Sequence, residues 1–132
     1  MSKEFKHEAK IYYEDTDSGG VVYYANYLKF LERARSEAIH SLGFSNKGLL
    51  ENHGILLIVK SCNIQYKQPA QLEDLLEISS EATSFTKTSI LMKQLILKNK
   101  DIISEAEVHL VAVDNKGKPT KIPDQLKTKL EN

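Results

Sequence analysis

The clearest pattern in the chain is an apolar stripe at helical spacing. Tyr27, Phe30, Leu31, Ala34, Ala38 and Leu42 follow each other at intervals of three and four residues. Lys29, Glu32, Arg33, Ser36, Glu37 and His40 fall mostly on the opposite side. The pattern predicts one long helix, with Asn26 as N-cap and Gly43 as the C′ residue. A second, short helix is expected over 46–52. The stripe is core-facing, and Arg33 with Glu37 is an i,i+4 pair on the solvated face.

After Gly54 the period changes to two. Cys62, Ile64 and Tyr66 alternate with Ser61, Asn63, Gln65 and Lys67, and Pro69-Ala70 ends that strand. Leu76, Ile78 and Ala82 share a face of the next strand. The stretch from Ile90 to Leu97 is apolar on both faces, as a central strand would be. A turn at Asn99-Lys100-Asp101 leads into a long last strand with Ile102, Ala106, Val108, Leu110 and Ala112 on one face. Another turn follows at Asn115-Lys116-Gly117-Lys118, and the tail from Pro123 is either a short helix or frayed. Before the long helix, residues 5–13 read as a strand, ending in the β-formers Ile11, Tyr12 and Tyr13.

The order is therefore strand, long helix, then four strands joined by short turns. Only the first connection is long enough for a parallel crossover. This describes an α+β domain: a mostly antiparallel five-stranded sheet with one long helix against a face. Residues 1–132 are expected to form a single domain. The strand apolar on both faces implies more cover than one helix provides, so a dimer is expected.

Composition narrows the function classes. Eighteen basic residues balance eighteen acidic ones, so there is no general attraction for nucleic acid or an anionic membrane. No run approaches the length of a membrane helix, and the charged start carries no apolar signal segment. The one cysteine, Cys62, excludes an internal disulfide; within a strand it reads as a packed thiol. A reducing cytoplasm is the expected compartment. The four histidines, His7, His40, His53 and His109, are scattered, so no metal site is expected. His53, beside Gly54 and before a strand, is the one placed to edge a cleft.

The chemistry-bearing segment is the run Glu14-Asp15-Thr16-Asp17-Ser18-Gly19-Gly20, directly before the long helix. Free N–H groups at a helix start carry partial positive charge and favour a developing oxyanion. A carboxylate beside them makes a hydrolytic pair: the donors polarise a carbonyl, and the carboxylate attacks it or activates water. Gly19 and Gly20 let a ligand approach the backbone. On spacing alone, capping and loop formation explain the same residues. A phosphatase-type Asp-x-Asp loop would need a doubly wound sheet, which this order of elements does not supply. An EF-hand calcium loop fails because it needs a third oxygen ligand where Gly19 stands and a Glu where Asn26 stands.

From Tyr12 to Glu37, ending in Asn26-Tyr27-Leu28-Lys29-Phe30-Leu31-Glu32-Arg33-Ala34-Arg35-Ser36-Glu37, the chain resembles the Tol–Pal-associated acyl-CoA thioesterases. These belong to the 4-hydroxybenzoyl-CoA thioesterase group of hotdog proteins. A second match is the run from Tyr66 to Leu76. The resemblance spans nearly the whole chain. It implies a hotdog fold and hydrolysis of an acyl-CoA. It also implies Asp17 as nucleophile or general base, with the peptide N–H of Tyr24 holding the thioester carbonyl. Many close relatives carry His where Tyr24 stands; a backbone role survives that change and an imidazole role does not.

The resemblance further implies substrate contacts at Gly20 and Val21, and CoA phosphates met by Lys87, Thr88 and Ser89 at the start of a strand. The bland reading of those last three is a solvated turn, while Lys60 and Lys67 are weaker candidates. Tyr13 and Tyr23 are expected either to line the acyl pocket or to pack in the core. No cofactor is expected, because thiolate leaves readily without a metal. The site is expected at a dimer interface, in a dimer of dimers, with acyl carrier protein as a further partner. Two rivals stand beside this reading. A hydratase would want a His–carboxylate pair at the helix start, where Tyr24 stands. A non-catalytic binding or scaffold protein would hold acyl-CoA without turning it over.

Overall fold

The structure of the protein is a computed structural model, which describes residues 3–132. Its elements are β1 (Glu4–Lys10), α1 (Asn26–Ser41), α2 (Asn46–His53), β2 (Leu56–Tyr66), β3 (Leu75–Phe85), β4 (Ser89–Lys98), β5 (Asp101–Val113) and α3 (Asp124–Glu131). The strands form one sheet in the order β1-β3-β4-β5-β2, with every pair antiparallel. α1 lies on one face of it, giving the hotdog arrangement.

The helix forms where the apolar stripe predicts it. Tyr27, Phe30, Leu31, Ala34, Ala38 and Leu42 are all buried, and Ile39 joins them. Burying side chains of the size of Phe30 and Leu31 stabilises the fold by roughly 1.5–3 kcal/mol each. The helix ends in a Schellman motif: Phe44 N–H bonds to Ile39 O, Gly43 N–H bonds to His40 O, and Gly43 has φ of 87°.

Its start differs from expectation. Ala25, in helical geometry, takes the cap position, and Asn26 is the first helical residue. The Asn26 side chain instead donates to the carbonyl of Asp15 at 2.9 Å. Backbone turns such as Asn26 N–H to Tyr23 O already wind the chain into the helix, so no side-chain cap is required.

Against the sheet, Ile90, Met92 and Ile96 of β4 and Ala106, Val108, Leu110 and Ala112 of β5 face the helix and are buried. β4 is central, as its two apolar faces predict. On β5 it is Ile103, not Ile102, that is buried. The register slips between Ile96 and Leu97 opposite it, and that irregularity turns Ile103 inward. The tail forms α3, with Leu126 and Leu130 sealing one end of the core.

β1 is shorter than predicted. It ends at Lys10, and Tyr13–Asp15 form a 3-10 turn rather than more strand. The Asp15 carboxylate accepts the Tyr12 N–H at 2.9 Å, bending the chain away from the ladder.

β2 is the least covered strand. It pairs only with β5, and Leu56, Ile58, Val59 and Tyr66 stay exposed. Cys62 is exposed with them rather than packed, because an edge strand has a neighbour on one side only. Its backbone also lies away from α1, which approaches β1 and β3 most closely.

Candidate active site

Residues 11–27 wind into a compact loop stitched to a second segment, 70–74. Ile11 N–H bonds to Asp74 O, and Glu73 N–H returns to Ile11 O. Val22 N–H bonds to Ala70 O, Leu72 N–H bonds to Gly20 O, and Val21 pairs with Gln71. The two motifs that carried the resemblance are thus one structural unit. The second segment is itself fixed: Asp74 accepts the Gln71 N–H and holds Lys98 at 3.0 Å. The buried Tyr27 hydroxyl accepts the Ala70 N–H at 3.0 Å.

Within the loop the two aspartates differ. Asp15 is buried; its carboxylate holds Tyr12, and its carbonyl accepts both Tyr23 N–H and the Asn26 amide. Asp17 is exposed. One of its oxygens accepts the Gly19 N–H at 2.8 Å, and its backbone closes the turn through Asp17 N–H to Val21 O and Gly20 N–H to Asp17 O. Among the described residues Asp17 forms no ion pair, and only Gly19 donates to its side chain. A Cβ on Gly19 would sit 3.2 Å from Asp17 Oδ1, and Gly20 has φ of 82°. Gly20 therefore takes a backbone conformation that favours glycine, while a side chain at Gly19 would crowd the carboxylate.

The backbone at Tyr23–Ala25 supplies donors. Among the described residues the Tyr24 N–H meets no acceptor. The carbonyl of the same peptide unit, Tyr23 O, accepts the Asn26 N–H at 2.9 Å. That bond polarises the peptide and strengthens the free N–H as a donor. The Tyr24 ring is exposed and lies edge-on to Tyr66, with centroids 6.3 Å apart. Tyr66 donates its hydroxyl to Tyr24 O at 3.2 Å, pinning the helix start to β2. The sequence reading assigned no role to that hydroxyl. Tyr13 and Tyr23 are exposed and so are not core residues.

Gly20 and Val21 stand beside Asp17 in this turn. Lys87, Thr88 and Ser89 do not. They form the β3–β4 turn, at the end of the sheet away from Leu75 and the segment 70–74. There Ser89 is buried against Thr86 at 2.6 Å, while Thr88 O and Lys87 O accept Ala112 N–H and Ile122 N–H. The Lys87 side chain is exposed. His53 ends α2, beside the start of β2 and so at the end opposite Tyr66.

A cavity of about 220 Å³ lies under the second half of α1, lined by Arg35, Ile39, Leu57, Val59, Met92 and Leu110 among others. Above it runs a polar network. Arg35 Nη1 donates to Gln94 Oε1 at 3.0 Å, and Gln94 Nε2 donates to Leu31 O and Ser80 Oγ. Gln94 is completely buried, so these partners satisfy it. A glutamine in the apolar run from Ile90 to Leu97 was the signal for this network in the sequence.

Comparison with known proteins agrees with this architecture. The family model described as the thioesterase-like superfamily matches residues 12–130. The chain is 40% identical to the acyl-CoA thioesterase YbgC of Haemophilus influenzae, covering 96% of this chain and 94% of that one. It is also 40% identical to the acyl-CoA thioester hydrolase YbgC of Escherichia coli O6:H1, over 92% of each. The crystal structure of a probable thioesterase from Bartonella henselae superposes with a TM-score of 0.89 at 33% identity, covering 92% of this chain and all of that one. On sequence and on fold together, the chain belongs to the thioesterase-like superfamily.

Proposed function

We propose that this protein hydrolyses the thioester of an acyl-CoA, releasing a carboxylic acid and coenzyme A. The observation that carries the reading is the open Asp17 carboxylate in a turn that leads into a helix start with an uncommitted Tyr24 N–H. The thioester carbonyl oxygen accepts that N–H, which stabilises the charge that develops there. Two routes then balance. Asp17 attacks the carbonyl carbon, coenzyme A thiolate leaves, and water cleaves the mixed anhydride. Alternatively Asp17 takes a proton from water, the hydroxide attacks, and the thiolate leaves with a proton. Oxygen-18 from labelled water entering Asp17 during a single turnover marks the first route.

The reading includes a homodimer formed at β2. An antiparallel edge pairing there covers Leu56, Ile58 and Val59 and removes the open ladder. Because a two-fold reverses the partner's strand direction, the partner's β3–β4 turn comes level with this protomer's Asp17. Lys87 and Thr88 then meet the CoA phosphates across the interface, with the buried Ser89 bracing the turn through Thr86. A dimer of such dimers, a single domain over 1–132, a cytoplasmic setting, an acyl carrier protein partner and the Tol–Pal association belong to the same reading. The oligomer, the acyl carrier protein partner and the Tol–Pal association rest on the resemblance to that branch of the superfamily, the single domain on chain length, and the cytoplasmic setting on composition and the lone cysteine.

The test is steady-state release of coenzyme A from a panel of acyl-CoAs, with wild type and Asp17→Asn side by side. Turnover that collapses in the mutant supports hydrolysis at Asp17. A folded wild type that binds acyl-CoA yet turns over none of the panel would sink the proposal in favour of a binding module.

A further inference from the structure

One basic side chain is placed where hydrolysis at Asp17 makes no use of it. Arg35 is half-buried on α1 and lines the cavity beneath it. A guanidinium has five N–H donors. Among the described residues Arg35 makes one hydrogen bond, to the neutral oxygen of Gln94, and no ion pair. The acid on the cavity rim, Glu32, accepts the Ser36 hydroxyl at 2.6 Å, and Ser36 accepts the Asn46 amide. Burial lowers the Arg35 pKa, with Glu32 and Cys62 opposing the shift, so the charge is partly stripped of water. The remaining walls are apolar: Ile39, Leu57, Val59, Ile90, Met92 and Leu110.

The cavity is also linked to the helix start. Leu28, Glu32, Arg35 and Ile39 are spaced four, three and four residues apart, so they share one side of α1, and Tyr24 lies in the turn four residues before Leu28. β2 runs along that side in the opposite sense. Tyr66 meets Tyr24, Cys62 lies within electrostatic reach of Arg35, and Val59 and Leu57 reach the cavity. α1 and β2 thus frame a strip that runs from Tyr24 and Tyr66 at the helix start to the cavity.

We propose that the acyl chain follows this strip to the cavity, where Arg35 selects chains whose far end bears an oxygen function, carboxylate or hydroxyl, over chains ending in methyl. This rests on the hydrolase reading above and names its substrate class. Ten residues separate Ala25 from Arg35, a helix rise of about 15 Å. The helix leans its side chains back toward its start, which shortens the path. A carbon zigzag of ordinary bond length advances about 1.25 Å per bond, so this distance suits chains of about eight to twelve carbons. A desolvated guanidinium discriminates between ends because a methyl leaves its donors unpaired, whereas an oxygen takes them up.

The experiment compares kcat/KM for matched thioesters: hexanoyl- against adipoyl-CoA, octanoyl- against suberoyl-CoA, and decanoyl- against sebacoyl- and ω-hydroxydecanoyl-CoA. Wild type is expected to favour the oxygen-terminated member by about tenfold or more at the longer lengths. Arg35→Met brings the ratio toward one. Arg35→Lys, which keeps the charge and three donors without the planar fork, retains part of both ratios. A preference for carboxylate alone assigns the selection to charge pairing; a preference for both assigns it to hydrogen bonding, and either supports the subsite. Equal rates for matched pairs in wild type overturn it while leaving the hydrolase reading intact, and this needs no variant to fold. A ratio unchanged in Arg35→Met, with both rates lowered, also overturns it and leaves Arg35 a structural pin on Gln94. Failure to hydrolyse any thioester would overturn the hydrolase reading and the subsite together.

Discussion

The two halves of α1 use polar groups in opposite ways. At the start of the helix, Asp17 is exposed with one donor on its carboxylate, and the Tyr24 N–H meets no acceptor among the described residues. In the middle of the helix, Gln94 is fully buried, and both ends of its amide are bonded to Arg35, Leu31 and Ser80. Unmet polar groups at a surface are ready for a ligand; met ones in a core define packing. The same contrast separates Asp17 from its neighbour Asp15, whose buried carboxylate is committed to Tyr12. Substitutions at the first set should therefore change rate without changing stability, and substitutions at the second should do the reverse.

The sharpest test of that division is Asp17→Asn. The amide keeps an oxygen for the Gly19 N–H, so the turn survives, but it can neither attack a carbonyl nor accept a proton. We expect kcat/KM for acyl-CoA hydrolysis to fall by about 10³-fold or more, with the melting temperature essentially unchanged. A large fall in melting temperature would place Asp17 among the structural groups and erase the contrast.

Gln94→Leu is the converse. It removes one side chain and strands three partners: the Leu31 carbonyl, the Ser80 hydroxyl and the Arg35 guanidinium. A loss of about 2–4 kcal/mol in urea unfolding is expected, since each orphaned buried group carries its own desolvation cost. Retention of wild-type stability would mean that water or a rotamer change satisfies these groups.

How much of this was legible in the sequence follows the same line. The helix stripe, the central position of β4 and the Gly43 terminus could be read because periodicity and positive φ leave marks on residue type. So could the acidic glycine turn before the helix. The joining of residues 11–27 to 70–74 could not be read from spacing, because backbone hydrogen bonds such as Leu72 N–H to Gly20 O carry no side-chain signature. The exposure of Cys62 was misread because alternation identifies a strand without saying whether it lies at an edge. The distance between the Lys87–Ser89 turn and Asp17 also depends on sheet order, which no local pattern encodes. Tyr66 offered a phenol with no stated partner, and only the fold places it on Tyr24 O.

Tyr27 joins the two regions, since it begins the helix stripe and holds the segment 70–74. Tyr27→Phe keeps the ring packing against Phe30 and Tyr66 and removes only the acceptor for the buried Ala70 N–H. We expect a loss of about 1–2 kcal/mol. The substitution also has a pH signature. Burial raises the Tyr27 pKa above its ordinary 10.0, the Ala70 bond lowers it, and Asp74 raises it further. The folded state thus favours the neutral phenol. Its contribution is fully present below pH 10 and is lost as pH rises from there through the folded pKa. Wild type should lose stability along that alkaline limb more steeply than Tyr27→Phe. Parallel limbs for the two proteins would show that the phenol titrates alike in both states.

The smallest expected effect falls between the two classes, at Gly19. Its φ is not in the left-handed region, so Gly19→Ala carries no backbone penalty of the kind expected at Gly20. The added methyl would, however, approach Asp17 Oδ1 to 3.2 Å, closer than a comfortable contact. Because Asp17 is exposed, the carboxylate can swing away, and the cost in stability should stay under about 0.5 kcal/mol. The swing weakens the Gly19 N–H bond that orients the carboxylate. Hydrolysis should therefore slow several-fold through kcat, with KM little changed, as befits a group aimed at the reacting carbon rather than holding the bound ester. A loss confined to KM would instead mean that the glycines serve only to admit the substrate. The free carboxylate of Asp17 would then need no particular orientation to act.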